Sequence, residues 1–322
     1  MPNQYDILPE KFLDKLPEIV GKENLDEILT SFCFRKPSTF RTNTLKITSE
    51  ELTKELNKLN IKAQPINWYK DAFILINTPQ KILSETKWYK EGFLYIQSLS
   101  SMIPPLILNP SENEKVLDLC AAPGSKTTQI AALMKNTGEI IANDLSRIRN
   151  FRLSANLQIQ GVKNTKVTNL MGEIIWKKYP EYFDKTLVDV PCSMEGRFFT
   201  DDPKTYRDWK NGKVKQLAQK QKFLLRSAIS ATKTGGIIVY STCTLSPEEN
   251  EEVINWILEK EKNNVELLPV ILDNCSFSHG LTKFKNKTYS LELSKTKRIM
   301  PSKTMEGFYI AKLKKIKSNI IF

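Results

Sequence analysis

The chain has 322 residues, with 40% hydrophobic and 26% charged, the proportions of a folded globular protein rather than a disordered or fibrous one. Lys plus Arg number 48 against 36 Asp plus Glu, and the resulting formal charge of +12 favours polyanionic partners, nucleic acid first. Five cysteines (33, 120, 192, 243, 275) with no CxxC pair and a single histidine, His279, exclude a disulfide framework, a zinc site of the usual spacing and any histidine triad that does not use His279.

No apolar run approaches the roughly 18 to 20 residues that a spanning helix needs. The start MPNQYDILPEKF also lacks a signal-peptide core. The expectation is a soluble, unprocessed, cytoplasmic monomer with no bound metal. The positive charge is uneven: residues 281–322 carry eleven bases against Glu292 and Glu306. Such a tail is expected to supply sequence-independent phosphate contacts.

In chain order, residues 1–37 read as a helical segment, because apolar positions in KFLDKLPEIV and ENLDEILTSF recur at three- and four-residue spacing. Residues 38–98 read as a small α+β module. It contains an extended stretch FRTNTLKI, a helix SEELTKELNKLN with a serine N-cap, and β-like runs at AFILI and GFLYIQ. Residues 99–318 form the main domain. There KVLDLCAA, GEIIAND, TKVTNL, KTLVDVP and GGIIVYSTCT alternate with helical patterns, which specifies a mostly parallel sheet with helices on both faces.

Ligands of such sheets sit beyond the carboxyl ends of the strands. The residues placed there are Cys120 to Lys126, Asn143 and Asp144, Asp189 to Cys192, and Ser241 to Thr244. Gly124 opens a helix but belongs to neither a GxGxxG nor a complete phosphate loop, which fits a nucleoside better than a phosphate chain. Asp144 stands where an acid accepts hydrogen bonds from ribose hydroxyls, although a solvated strand-end Asp would look the same. A single free cysteine is usually a packing residue, yet Cys192 and Cys243 at two adjacent strand mouths are harder to read that way.

The strings LDLCAAPGSKT, ANDLSRIR, LVDVPCSMEG and YSTCTLSPEENEEV resemble the successive motifs of the RNA (cytosine-5)-methyltransferase family of the Sun/NSUN type, which includes bacterial rRNA and archaeal tRNA members. The resemblance covers roughly residues 38 to 315. It implies a Rossmann-like class I methyltransferase domain with a mostly parallel seven-stranded sheet, preceded by an RRM-like, RNA-binding-like module. It also implies S-adenosylmethionine as cofactor, structured RNA (rRNA or tRNA) as partner, and 5-methylcytosine as product.

Carried over position by position, Cys243 is the nucleophile that adds to carbon 6 of the cytosine. Asp189 serves ring nitrogen 3, Lys126 holds Asp189 and the base, and Cys192 serves release of the product. Cofactor contacts fall on Cys120, Ala121, Ala122, Pro123, Gly124, Ser125, Lys126, Asp144, Arg149, position 171 and Asp189. RNA contacts fall on Arg41 and Asn43. The pattern departs at Met171, where relatives have Asp, so the acidic contact to the adenine amino group is missing. It departs again at Met194, where relatives commonly have Gly and the larger side chain is expected to crowd the loop. The length is closer to that of the compact tRNA enzymes than to ribosomal relatives with an extra carboxy-terminal domain. The rival reading is an RNA-binding assembly factor that keeps the fold and has lost turnover.

Overall fold

Two larger sheets and one separate two-stranded hairpin organise the chain in a computed structural model that describes residues 4–320. Ahead of them, α1 (Glu10–Leu13), α2 (Leu16–Val20) and α3 (Leu25–Ser31) realise the expected helical spacing. Their apolar stripe, with Phe12, Leu16, Ile28 and Phe32, packs into the main core of the larger domain rather than into a core of its own.

The small module runs β1 (Thr39–Thr42), α4 (Ser49–Lys58), β2 (Lys62–Ile66), β3 (Tyr69–Ile76), α5 (Gln80–Glu85), α6 (Lys87–Lys90) and β4 (Leu94–Ile96). The antiparallel sheet order is β2-β3-β1-β4, a split βαβ arrangement. Helix α4 is capped by Thr48, not by the expected serine. Its hydroxyl accepts from the Glu51 N–H, while the Glu51 carboxylate accepts from the Thr48 N–H. Strand β2, rich in polar residues and interrupted by Pro65, gave no alternating signal.

Strand β1 is buried along its whole length, so the module offers no open β1 surface for bases. The expected RNA contacts at Arg41 and Asn43 are overturned for the same reason. Arg41 is fully buried and donates to Gln97 (2.9 Å), Thr128 (2.6 Å) and the Ser125 carbonyl (3.2 Å). Asn43 is also buried and donates to the carbonyls of Gly92 (2.7 Å) and Gln160 (2.8 Å). Both side chains join the module to the larger domain and neither reaches solvent.

The larger domain continues with α7 (Leu99–Leu108), β5 (Lys115–Asp118), α8 (Ser125–Leu133), β6 (Glu139–Asn143), α9 (Arg147–Gln160), β7 (Thr165–Thr168), β8 (Phe183–Asp189), α10 (Asn211–Ala231), β9 (Thr232–Thr242) and α11 (Glu251–Lys260). Then follow β10 (Val265–Leu268), β11 (Ser278–His279), the hairpin β12 (Lys283–Phe284) and β13 (Lys287–Thr288), β14 (Lys297–Ile299) and β15 (Phe308–Lys315). The sheet order is β11-β14-β15-β9-β8-β5-β6-β7, with β10 also paired to β15. Strands β9, β8, β5, β6 and β7 are mutually parallel, and the remaining strands are antiparallel. The sheet thus has nine strands rather than seven, because short strands between α11 and β15 add to its antiparallel edge.

The chain leaves β5 toward β6 and β7, then returns to the other side of β5 as β8 and β9. The switch point lies between β5 and β8, and it fixes where a crevice opens. The basic stretch of residues 281–322 is not a free tail, since its described part builds β12 to β15. Arg298 and Lys315 are buried and pair with Glu251 and Glu181, and Lys287 pairs with Glu252. Part of the charge surplus is therefore spent inside the fold.

Candidate active site

At the switch point the strand β5 runs into Leu119–Gly124, and Gly124 opens α8 with φ +107°. A side chain there would be strained by the backbone and would meet Leu153 at 2.9 Å. This turn forms one wall of a chamber of about 310 Å3. Cys120, Ala121, Ala122, Pro123, Ser125, Lys126 and Asp189 line it, together with Cys243. Gly124 shapes the turn without lining the cavity.

Inside the chamber the Lys126 ammonium lies 2.7 Å from Asp189 and donates to the Ser101 hydroxyl at 2.8 Å. The other Asp189 oxygen accepts from Ser241 at 2.7 Å. The sequence places these groups together because β8 and β9 pair in parallel with Asp189 opposite Ser241. Three residues past Asp189 and two past Ser241, Cys192 and Cys243 meet, sulfur to sulfur, at 3.2 Å. The Cys243 N–H also donates to the Cys192 sulfur at 3.3 Å. Its hydrogen bond to the neighbouring sulfur, with burial second, holds the Cys192 thiol well above the ordinary range, so Cys192 is protonated at neutral pH. Asp118, at the chamber floor, is pushed up to about 7 by burial. One of its oxygens accepts from Thr127 at 2.7 Å, and the other is buried without a partner.

A second chamber of about 250 Å3 adjoins the first at Cys120 and is lined by Asn143, Asp144, Arg149, Gly172, Glu173 and Lys220. Asp144 is held in place by the Ser146 N–H (2.9 Å) and by Arg149 (3.1 Å). Met171 lines neither chamber. Its side chain is 54% exposed, next to Gly172 in the wall of the second chamber, and its thioether cannot replace the missing carboxylate. Glu173, two residues on and 3.6 Å from Lys220, reaches the cavity instead. Its nearness to the motif position was a usable signal; Lys220, in the middle of α10, had none.

The thiol loop rests on a polar network that the sequence reading did not find. Glu195 is fully buried and receives hydrogen bonds from Lys15 (2.7 Å), Trp209 (2.9 Å), Ser246 (2.6 Å) and Thr244 (3.0 Å). The adjacent Gly196 N–H donates to the Cys243 carbonyl at 3.1 Å. Met194 is 43% exposed and does not crowd the chamber; its departure from Gly is felt in the backbone, at φ 59°. A left-handed residue with a side chain costs about 1 to 2 kcal/mol. Among the described residues no group of three or more His, Cys, Asp or Glu gathers as a metal site, and no helix is long and apolar enough to cross a membrane.

A doubly wound sheet with an antiparallel edge and paired chambers at its switch point defines a class I methyltransferase fold, here with a thiol pair at the rim. Residues 105–314 match the family described as 16S rRNA methyltransferase RsmB/F, and residues 8–99 match the N-terminal domain of 16S rRNA methyltransferase RsmF. The chain belongs to this RNA (cytosine-5)-methyltransferase family, of the Sun/NSUN type. It is 38% identical to the tRNA (cytosine(49)-C(5))-methyltransferase of Pyrococcus abyssi over 95% of this chain and 97% of that protein. It is 38% identical to the 28S rRNA (cytosine-C(5))-methyltransferase of Mus musculus over 96% of this chain, but spans only 39% of that protein's length. A methyltransferase homologue from Pyrococcus horikoshii superimposes with a TM-score of 0.85 at 34% identity, over 98% of this chain and 99% of the other.

Proposed function

We propose that the protein methylates carbon 5 of a cytidine in structured RNA, rRNA or tRNA, with S-adenosylmethionine as donor. The observation that carries this reading is the Cys192–Cys243 sulfur contact of 3.2 Å at the edge of a chamber that also holds the Lys126–Asp189 pair. Two thiols at one rim suit a reaction that must both saturate and restore the 5,6 double bond of the base.

The residues present fit the donor. Asp144, oriented by Arg149 and Ser146, is placed for the ribose hydroxyls. Glu173 offers the acceptor for the adenine amino group that Met171 cannot supply. Residues Cys120 to Lys126 wall the passage between the chambers, and the unpartnered Asp118 oxygen is free to accept a hydrogen bond from a bound group. When bound, the sulfonium supplies an electrophilic methyl group.

The chain's own groups do the rest. The Cys243 sulfur adds to carbon 6 of the base and makes carbon 5 nucleophilic. The proton that the Cys243 thiol gives up passes by way of Asp189, held by Lys126, to ring nitrogen 3, where the electron density moves. After transfer the carbon-5 proton passes to water, the sulfur–carbon-6 bond breaks, the ring double bond returns, and the nitrogen-3 proton goes back through Asp189 to the Cys243 sulfur. Cys192, against Cys243 and protonated at neutral pH, serves this release by donating a hydrogen bond to the departing Cys243 sulfur. The target nucleotide must be unstacked to enter.

The non-catalytic assembly-factor reading is not favoured, because the thiol pair, the ion pair and both chambers are intact. Incubation with a methyl-labelled donor and unmodified RNA tests the assignment. Cys243→Ala is expected to transfer no label. Cys192→Ala is expected to accumulate a protein–RNA adduct that survives denaturing electrophoresis. An adduct from the Cys243 variant and none from the Cys192 variant would reverse the two roles.

A further inference from the structure

We infer that a groove beside the thiol chamber carries the single RNA strand that flanks the target nucleotide, a proposal that rests on the reading above. The groove encloses about 850 Å3 and shares Ile96, Gln97, Ser98 and Glu306 with the chamber, so the two cavities lie side by side at the end of β4. The nucleotides on either side of a flipped-out base stay joined to it through the backbone, so they must lie close to the chamber mouth. The second chamber, where Asp144 and Glu173 suit a nucleoside, lies on the other side at Cys120. The flanking nucleotides therefore leave by the groove.

The charges along the groove suit a phosphate backbone. Arg35 and Lys36, between α3 and β1, form one side, and Lys81 on α5 stands on another. The single carboxylate among its lining residues, Glu306, is engaged by Arg197 at 3.3 Å. Lys81 is 85% exposed and comes no nearer than 4.0 Å to Glu85, so its charge is free for a ligand. Burial pushes the Lys36 amine down to about 8. A phosphate beside it would restore the full charge and gain affinity by doing so. Thr78 and Gln80 add neutral hydrogen-bonding groups. A positively charged, polar path that tracks a backbone without reading base edges is how single strands are held. It also supplies the RNA contact that buried Arg41 and Asn43 cannot make.

Fluorescence anisotropy with a fluorescein-labelled 20-nucleotide oligocytidine RNA tests this on the full chain. The triple variant R35A/K36A/K81A is expected to bind at least about tenfold more weakly near 0.1 M salt. Its slope of log affinity against log salt should fall by about 2, from three contacts of roughly 0.7 each. Lys81→Glu, at an exposed position that cannot disturb the core, should weaken binding severalfold by itself. Unchanged affinity and slope in both variants would overturn the groove, as would absence of wild-type binding at low salt. Binding is read without turnover, so the two readings fail separately. A wild type that binds through these cations but methylates nothing sinks methyl transfer alone. Intact methylation with an unaltered KM for RNA in the triple variant sinks the groove alone.

Discussion

Glu249 lies under the thiol loop, where its carboxylate accepts from the Ser193 N–H at 3.1 Å and from Gln221 at 2.7 Å. Burial outweighs these bonds and pushes its pKa from the usual 4.5 up to about 7. The folded chain therefore holds this proton more tightly than the unfolded chain does. The resulting stability is complete below about pH 4.5 and is lost as pH rises through 7, a change on the order of 3 kcal/mol. Asp118 acts in the same direction. In Glu249→Gln the group no longer titrates, so the stability difference between variant and wild type should move in the variant's favour by that amount from pH 4.5 to 8. Urea unfolding at the two pH values measures it, and parallel pH profiles would refute it. At this scale the sequence is most legible where chemistry is written in contiguous strings. Cys243 directly follows β9 and Cys192 stands three residues past β8, so a correct strand assignment brings them to one rim. Arg41 lies in an equally distinctive string but faces inward, and no local pattern distinguishes a buried arginine from one that meets RNA.

The leading helices show why an element's role can be hidden when its form is plain. Their amphipathic spacing identifies α1 to α3, yet it does not say that Lys15, in the turn between α1 and α2, enters the larger domain. Lys15 is buried, lies 2.7 Å from Glu195 and sits 5.2 Å from the centre of the Trp209 ring. Since Glu195 precedes the Gly196 N–H that holds the Cys243 carbonyl, the N-terminal segment braces the loop carrying the thiols. Removing one partner of a buried pair leaves an uncompensated charge and costs about 3 to 5 kcal/mol. Lys15→Met should lose stability on that scale in equilibrium unfolding. The double variant K15M/E195Q should recover a large part, because no charge is then left unpaired. A double variant as unstable as the single one would show that packing, not charge, holds this contact. The strands that escaped sequence reading, β2 and β10 to β14, are short or polar edge strands, with too few residues for a period of two to emerge.

For the whole molecule the question is which of its many cations an RNA can feel. Strand β15 runs antiparallel to β9, with Tyr309 opposite Thr242 and Lys314 opposite Ile237. Lys314 thus lies six residues along the sheet from Cys243, roughly 20 Å at about 3.3 Å per residue, toward the edge away from the catalytic rim. Lys317 follows it beyond the strand, its N–H directed to the Asn264 carbonyl. At about 0.15 M salt the Debye length is about 8 Å, so an RNA entering at the thiol chamber is screened from both. In about 0.01 M salt, where the length is near 30 Å, it is not. The double variant K314Q/K317Q should then bind oligocytidine within about twofold of wild type at the higher salt and distinctly more weakly at the lower one. A severalfold loss at about 0.15 M salt would mean that the strand crosses the far edge of the sheet. Net charge read from composition cannot make this distinction, because it counts a lysine at the rim and a lysine behind the sheet alike, whereas strand register separates them.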